Sequence, residues 1–149
     1  SFADQVILGS GDLFTPESCL EMIAETGVDG VTVARGAIGN PWIFEQTLAL
    51  SAGKKKPDPP TLFRQRIVIE EHYQLAEQLY GERSGPMMRK FGIKYSALHP
   101  RHLEVRQAFT RVKNFEQWKQ VLDHWYGEDL AGVYPDGRLH KAQGSCETG

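Results

Sequence analysis

Apolar and polar positions change their rhythm partway along the chain, from short apolar runs stopped by glycine to a longer helical repeat. Val6, Ile7 and Leu8 form an apolar run that Gly9, Ser10, Gly11 and Asp12 bring to a halt, the pattern of a buried strand ending in a tight turn. Thr15 followed by Pro16 is a helix start with proline at its first position. Leu20, Ile23 and Ala24 supply its apolar face and Gly27 its end. The β-branched Val28, Val31 and Val33 predict a second strand over Val28 to Val33. It runs into Arg35, Gly36, Ala37, Ile38, Gly39, Asn40, Pro41 and Trp42, a glycine-rich turn leading to another helix. A strand, helix, strand, helix order with short connections predicts parallel pairing. Two strands alone do not make a stable sheet, so residues 1–50 are expected to need further elements from a longer chain or a partner.

From Ser51 the pattern shifts. Residues 51–60, with three lysines and three prolines, read as a linker. Leu62, Ile69, Tyr73, Ala76 and Tyr80 then fall close to one face of a helix running to about Gly81. Gly85 and Pro86 open a second helix, a third is predicted near Pro100, and Asn114 with Gln117 three residues later marks the start of a fourth. Phe115, Trp118, Val121, Leu122 and Trp125 give that helix its apolar face, with Trp118, Trp125 and Tyr126 expected in the core. A small helical bundle over 61–126 follows, then a polar, glycine-containing tail over 127–149 expected to be loosely ordered. The fold class read here is α/β followed by all-α.

Composition narrows the class without changing that picture. At 149 residues, 40% hydrophobic and 24% charged, the chain is neither collagen-like, nor a coiled coil, nor wholly disordered. No apolar run reaches the roughly 18–20 residues that span a bilayer, and the amino terminus lacks the layout of a signal peptide, so a cytoplasmic protein is the default expectation. The opening at Ser1, close to a strand pattern, reads as the carboxy-terminal part of something longer. Cys19 and Cys146 make neither a disulfide framework nor a metal cluster. The spacing of Cys19 with Leu20 and Ile23 suggests ordinary packing.

The net charge of −2 conceals a polar distribution. Residues 1–50 carry one cation, Arg35, against seven acids, whereas residues 83–113 carry eight cations against Glu104 alone. Such a local basic field binds phosphates whatever the total charge, although scattered cations on a solvated helical face give the same count. Arg89, Lys90, Lys94, Arg101 and Arg106 could each neutralise a phosphate, and Tyr95 could either stack on an unpaired base or lie in the core. His99 and His102 are expected at a helix start, facing RNA. In the first fifty residues, Ser10 and Gly11 after the first strand and Ala34 and Arg35 after the second have the character of a phosphate cradle. The competing reading is that the glycines only make tight turns and that Arg35 pairs with a nearby carboxylate.

A resemblance weighs on that choice. Gly9, Ser10, Gly11 and Asp12, then Asp29, Gly30 and Val31, then the run from Ala34 to Phe44 closely resemble the end of the catalytic barrel of tRNA-dihydrouridine synthases. Met88, Arg89, Lys90 and Phe91, with Lys94, Tyr95 and Arg106, resemble the basic and aromatic stretch of that family's tRNA-binding domain. The resemblance covers residues 5–126. It implies the last two βα units of a TIM (β/α)8 barrel plus a carboxy-terminal helical domain. The implied activity is FMN-dependent reduction of uridine to 5,6-dihydrouridine in tRNA, with NADPH as reductant.

Carried onto this chain, the resemblance puts Ser10, Gly11 and Asp12 at one flavin phosphate loop and Ala34 and Arg35 at the next, and gives tRNA contact to Arg89, Lys90, Lys94, Tyr95, Arg101 and Arg106. The chain departs from the family pattern at Ser10 (usually Asn), Ala34 (usually Gly), Phe91 (usually His) and Lys94 (usually Trp). A complete barrel needs roughly 250 residues. The family's proton-donating cysteine precedes the segment present, so no catalytic residue is assigned here and this chain alone is expected to be inactive. Two other readings stay open: a stand-alone RNA-binding helical module, and another FMN-dependent TIM-barrel oxidoreductase acting on a small molecule.

Overall fold

The computed structural model describes residues 4–136. Cys146 and most of the predicted tail lie outside them. One compact unit ends at Asp58 and a second runs Pro59–Pro135. Among the described residues the chain forms six α-helices and one two-stranded sheet.

The first unit holds β1 (Leu8–Ser10), α1 (Pro16–Thr26), β2 (Gly30–Thr32), a one-turn 3-10 segment (Arg35–Ala37) and α2 (Ile43–Ser51). The strands pair in parallel, Leu8 with Gly30, Gly9 with Val31 and Ser10 with Thr32. β2 is shorter than the predicted Val28 to Val33, and β1, as long as its apolar run, begins where that run ends. The Ile7 N–H donates to the Asp29 carboxylate (2.8 Å) instead of extending the ladder. Val6, Ile7 and Leu8 lie exposed rather than buried, since no third strand or second layer among the described residues covers them. α1 starts where the sequence places it. Thr15 Oγ1 accepts from the Ser18 N–H (3.1 Å) and Ser18 Oγ from the Thr15 N–H (3.3 Å), a reciprocal cap ahead of Pro16. Leu13, Cys19, Trp42 and Ile43 form the unit's buried apolar centre.

The second unit holds α3 (Leu62–Tyr80), α4 (Ser84–Tyr95), α5 (His102–Thr110) and α6 (Phe115–Trp125), with one-turn 3-10 segments at Gly81–Arg83 and Ser96–Leu98. Thr61 caps α3 and Asn114 caps α6, the latter accepting from the Gln117 N–H at 3.0 Å. Ile69, Tyr73, Met88, Val105, Phe109, Trp118, Leu122 and Tyr126 make one core. At Gly92 a β-carbon would come within 2.5 Å of the Phe109 ring, so α4 and α5 approach each other over a residue without a side chain. Tyr80, expected on the apolar face of α3, is exposed, because the whole last turn of α3 (Glu77 to Tyr80) extends beyond the packed core. Trp125 is half-buried, whereas Trp118 and Tyr126 are buried as expected.

Residues 127–136 fall in the stretch expected to be loosely ordered, yet several are tied to the helices. The Leu62 N–H donates to Leu130 O (2.9 Å), the Phe63 N–H to the Asp129 carboxylate (3.2 Å) and the Val133 N–H to Leu98 O (2.9 Å). The first turn of a helix leaves N–H groups without intrahelical partners, and the 129–130 segment supplies those of α3. Polarity of sequence therefore did not mean absence of partners.

Candidate functional site

In the first unit, the loops after β1 and β2 are brought side by side. Gly36 makes the approach possible, since a β-carbon there would lie 1.9 Å from the Leu13 carbonyl oxygen. Ser10, Gly11 and Asp12 sit on one loop and Ala34 and Arg35 on the other, all five exposed. The Arg35 guanidinium pairs with the Asp12 carboxylate and lies 5.9 Å from the centre of the Phe14 ring. Both charged side chains remain about 70% exposed (71% and 70%), so the pair is open to solvent and to exchange with another anion. The pairing foreseen as the alternative role for Arg35 is thus present, with Asp12, itself a predicted site residue, as the partner. A carboxylate repels a phosphate, so any anion at these loops would compete with Asp12 for the Arg35 guanidinium.

Cys19 is fully buried, and burial pushes its thiol up, against the direction a reactive thiolate needs. The described residues contain no group of three or more His, Cys, Asp or Glu that could hold a metal ion. None of their helices is long and apolar enough to cross a membrane.

In the second unit the predicted basic residues divide by environment. Lys90 and Arg106 are exposed. Arg101 is exposed, bonded to Glu104 (3.1 Å) and stacked 4.7 Å from the Trp125 ring centre. Lys94 is half-buried. Arg89 is half-buried, its Nε–H donating to Val112 O (2.9 Å), which closes the end of α5. Of the two readings open for Tyr95, base stacking and core, its burial matches the core. Its ring is 5% exposed, its hydroxyl lies 3.0 Å from His72 Nδ1, and burial pushes its pKa up to about 12. The tyrosine is core because α4 turns it inward at the same spacing as Met88 and Gly92.

His99 also differs from expectation: it is buried and structural. Its Nδ1 accepts from the Arg101 N–H (2.9 Å), which leaves Nε2–H to donate to Trp125 O (2.8 Å). Those bonds fix the neutral tautomer, and burial lowers its pKa.

Sequence reasoning passed over a groove of about 300 Å³ between α5 and α6, lined by Arg111, Gln117, Gln120, Val121, His124 and Trp125 among others. The signal was available. On α6, positions 117, 120, 121 and 124 recur at helical spacing beside the apolar face, and the reading stopped at the apolar residues.

With both units described, comparison with known proteins is informative. Residues 3–129 match the model of the dihydrouridine synthase (Dus) family. A probable tRNA-dihydrouridine synthase of Mycobacterium leprae is 33% identical over 134 residues, which is 89% of this chain and 34% of that protein. A probable tRNA-dihydrouridine synthase of Rickettsia bellii is 36% identical over 80% of this chain and 37% of its own length. The tRNA-dihydrouridine synthase B of Xanthomonas campestris pv. campestris is 30% identical over 91% of this chain and 41% of its own length. The chain therefore spans roughly a third to two fifths of these curated relatives. A match running through both the paired-strand unit and the helical unit leads to one statement: the chain belongs to the dihydrouridine synthase family.

Proposed function

We propose that this chain works as the closing part of a tRNA-dihydrouridine synthase, its first unit being the last two βα units of a TIM (β/α)8 barrel and its second unit a helical tRNA-binding domain. The observation that carries the reading is the family match across both units, residues 3–129. Two features of the first unit support a barrel: parallel strands joined through a helix, and apolar residues Val6, Ile7 and Leu8 left exposed for neighbouring strands to cover.

The strand-end loops fit the phosphate of FMN. Two glycine-containing loops lie against each other at the carboxyl ends of β1 and β2, and the only cation of the first fifty residues stands exposed on one of them. Ser10, Gly11, Ala34 and Arg35 would hold the phosphate, with Asp12 keeping Arg35 in place until the anion takes over. Bound FMN, reduced by NADPH, would supply the hydride for the uracil C5–C6 bond. Lys90, Lys94, Arg101 and Arg106 would meet tRNA phosphates, while Arg89 and Tyr95 hold the helices that present them. The proton donor belongs to the barrel outside these residues, so the chain by itself is inactive. Its tRNA substrate places the reaction in the cytoplasm.

The test joins this chain to the preceding barrel units of a curated relative, in cells stripped of their own synthases, with tRNA dihydrouridine read by mass spectrometry. The reading expects dihydrouridine to return, and to fall at least about tenfold with Arg35→Ala, the loss of one charge-assisted phosphate contact. A folded, flavin-loaded chimera that leaves tRNA unmodified would refute it.

A further inference from the structure

The groove between α5 and α6 has the lining of a nucleotide site. Val121 and the half-buried Trp125 ring supply an apolar wall, Gln120, His124 and the NH2 of Gln117, whose amide oxygen accepts from the Lys113 N–H (2.9 Å), supply hydrogen-bonding edges, and Arg111 supplies a positive charge. Beside the groove, the Arg101 guanidinium, paired with Glu104, lies 4.7 Å from the Trp125 ring centre, so Arg111 is the cation of the lining itself. No carboxylate lines it. Of the acids nearby, Asp123 is paired with Arg66 and Glu104 with Arg101, while Glu116, one turn back on α6, accepts from Gln120 Nε2 at 3.5 Å.

We infer that this groove takes one unpaired nucleotide of an RNA strand, its base against Trp125 and its phosphate on Arg111. The inference rests on the RNA-binding reading of the second unit and assigns to it residues that the sequence reading left out. Charge complementarity decides the occupant: an arginine in a lining without carboxylates suits a phosphate, and an aromatic wall with amide edges suits a base. A volume of about 300 Å³ is at the small end of ligand sites, room for a single nucleotide rather than a duplex.

The experiment uses the 149-residue chain, a short single-stranded RNA as probe, and tryptophan emission as readout. Trp42 and Trp118 are buried, so a quench on binding reports Trp125, and Trp125→Phe identifies it. The expected result is a saturable quench that Trp125→Phe abolishes while binding by filter retention persists. Arg111→Ala should weaken binding roughly tenfold, the scale of one charge-assisted phosphate contact. Lys119→Ala, the same charge change on α6 outside this groove, should leave it within about twofold. RNA binding without a Trp125 quench, or equal losses in the Arg111 and Lys119 variants, would overturn the groove while leaving the RNA-binding reading intact. Failure to bind RNA at all would overturn both. An equal quench by oligo-glutamate would make the groove a plain anion site and refute the nucleotide.

Discussion

The two units of this chain solve the burial problem to different degrees. The helical unit encloses Tyr73, Met88, Phe109, Trp118, Leu122 and Tyr126 almost completely, with neighbouring helices supplying every wall. The paired-strand unit buries few large side chains and leaves Val6, Ile7, Leu8, Phe44 and Leu48 in contact with solvent, while the helical unit exposes Ile67, Leu75, Leu79 and Leu103 only outside an already closed core. Helices satisfy their backbone groups within themselves and need only one covered stripe each, whereas a parallel sheet needs strands on both sides and layers on both faces. The contrast teaches that the helical unit closes one core with its own helices, whereas the two strands of the first unit leave their apolar residues uncovered.

The sharpest way to break that contrast is to truncate a large side chain in each unit. Trp118→Ala removes a fully buried ring and should destabilise the helical unit by about 3–5 kcal/mol. Ile7→Ala in the same chain should change stability by no more than about 0.5 kcal/mol, because its side chain is already largely in water. Urea unfolding followed by circular dichroism compares the two. A cost above about 2 kcal/mol for Ile7→Ala would mean that the first unit already buries this residue in solution, and the contrast would fail.

A second substitution asks how well the strand-end loops are defined without other strands. Gly36→Ala places a methyl group against the Leu13 carbonyl, backbone against backbone, so neither side can swing away. The expected cost is about 1–3 kcal/mol, confined to the first unit. Amide exchange should rise around residues 9–14 and 34–40 and stay unchanged in α3 to α6. No change in exchange at either loop would show that the two loops do not meet in solution.

What the sequence reveals of each unit follows the same division. α1 and α6 announce themselves through local chemistry, Thr15 with Pro16 and Asn114 with Gln117, because a cap is made by residues three apart, whereas α3 is read from its apolar face and its Thr61 cap appears in the structure. The strands do not. Val6 to Leu8 has the composition of a strand, but the ladder begins at Leu8, since its extent is set by a partner more than twenty residues away and by the Asp29 carboxylate. The strand-end loop residues are recognisable as a pattern of small residues and one arginine, while the pairing of Arg35 with a nearby carboxylate is one of two readings there. In the helical unit, Tyr95 could not be assigned from its type, because a tyrosine serves equally in a core and on a surface; only the turn of α4 decides. His99 differs for the same reason: beside the local Arg101 N–H, its second partner, Trp125 O, comes within reach only where α6 returns beside it.

Acid should separate the units more gently. His99 is held neutral, with a folded pKa lowered by burial, and His72 is lowered in the same direction by burial. A histidine whose folded pKa lies below its unfolded value of roughly 6.5 contributes stability in full above that value, and the contribution is lost as pH falls below it. Each such group can lower stability by at most about 1.4 kcal/mol per pH unit within that window. The described part of the first unit contains no histidine, so its unfolding should show no such step. Urea midpoints of the helical unit at pH 7.5 and 5.5 should therefore differ, and His99→Gln should reduce the difference. Equal midpoints would show that the histidines titrate alike folded and unfolded.

The smallest effect is expected where the functional reading is most exposed. Arg35 and Asp12 form an ion pair with both side chains about 70% accessible (71% and 70%), and pairs of that kind contribute about 0.2–1 kcal/mol. A double-mutant cycle over Arg35→Ala and Asp12→Ala should give a coupling near the lower end, disappearing as salt shortens the screening length to about 3 Å at 1 M. That weakness is what an anion site requires, since a phosphate must displace the carboxylate from the guanidinium without disturbing the loops. The two single variants should then diverge in function while agreeing in stability. Arg35→Ala loses phosphate affinity, and Asp12→Ala gains it by removing the competing charge, both read by isothermal titration with inorganic phosphate. A salt-insensitive coupling above about 1 kcal/mol would assign the pair to the scaffold. The guanidinium would then be locked to Asp12, and the strand-end loops would have only backbone donors and Ser10 to offer an anion.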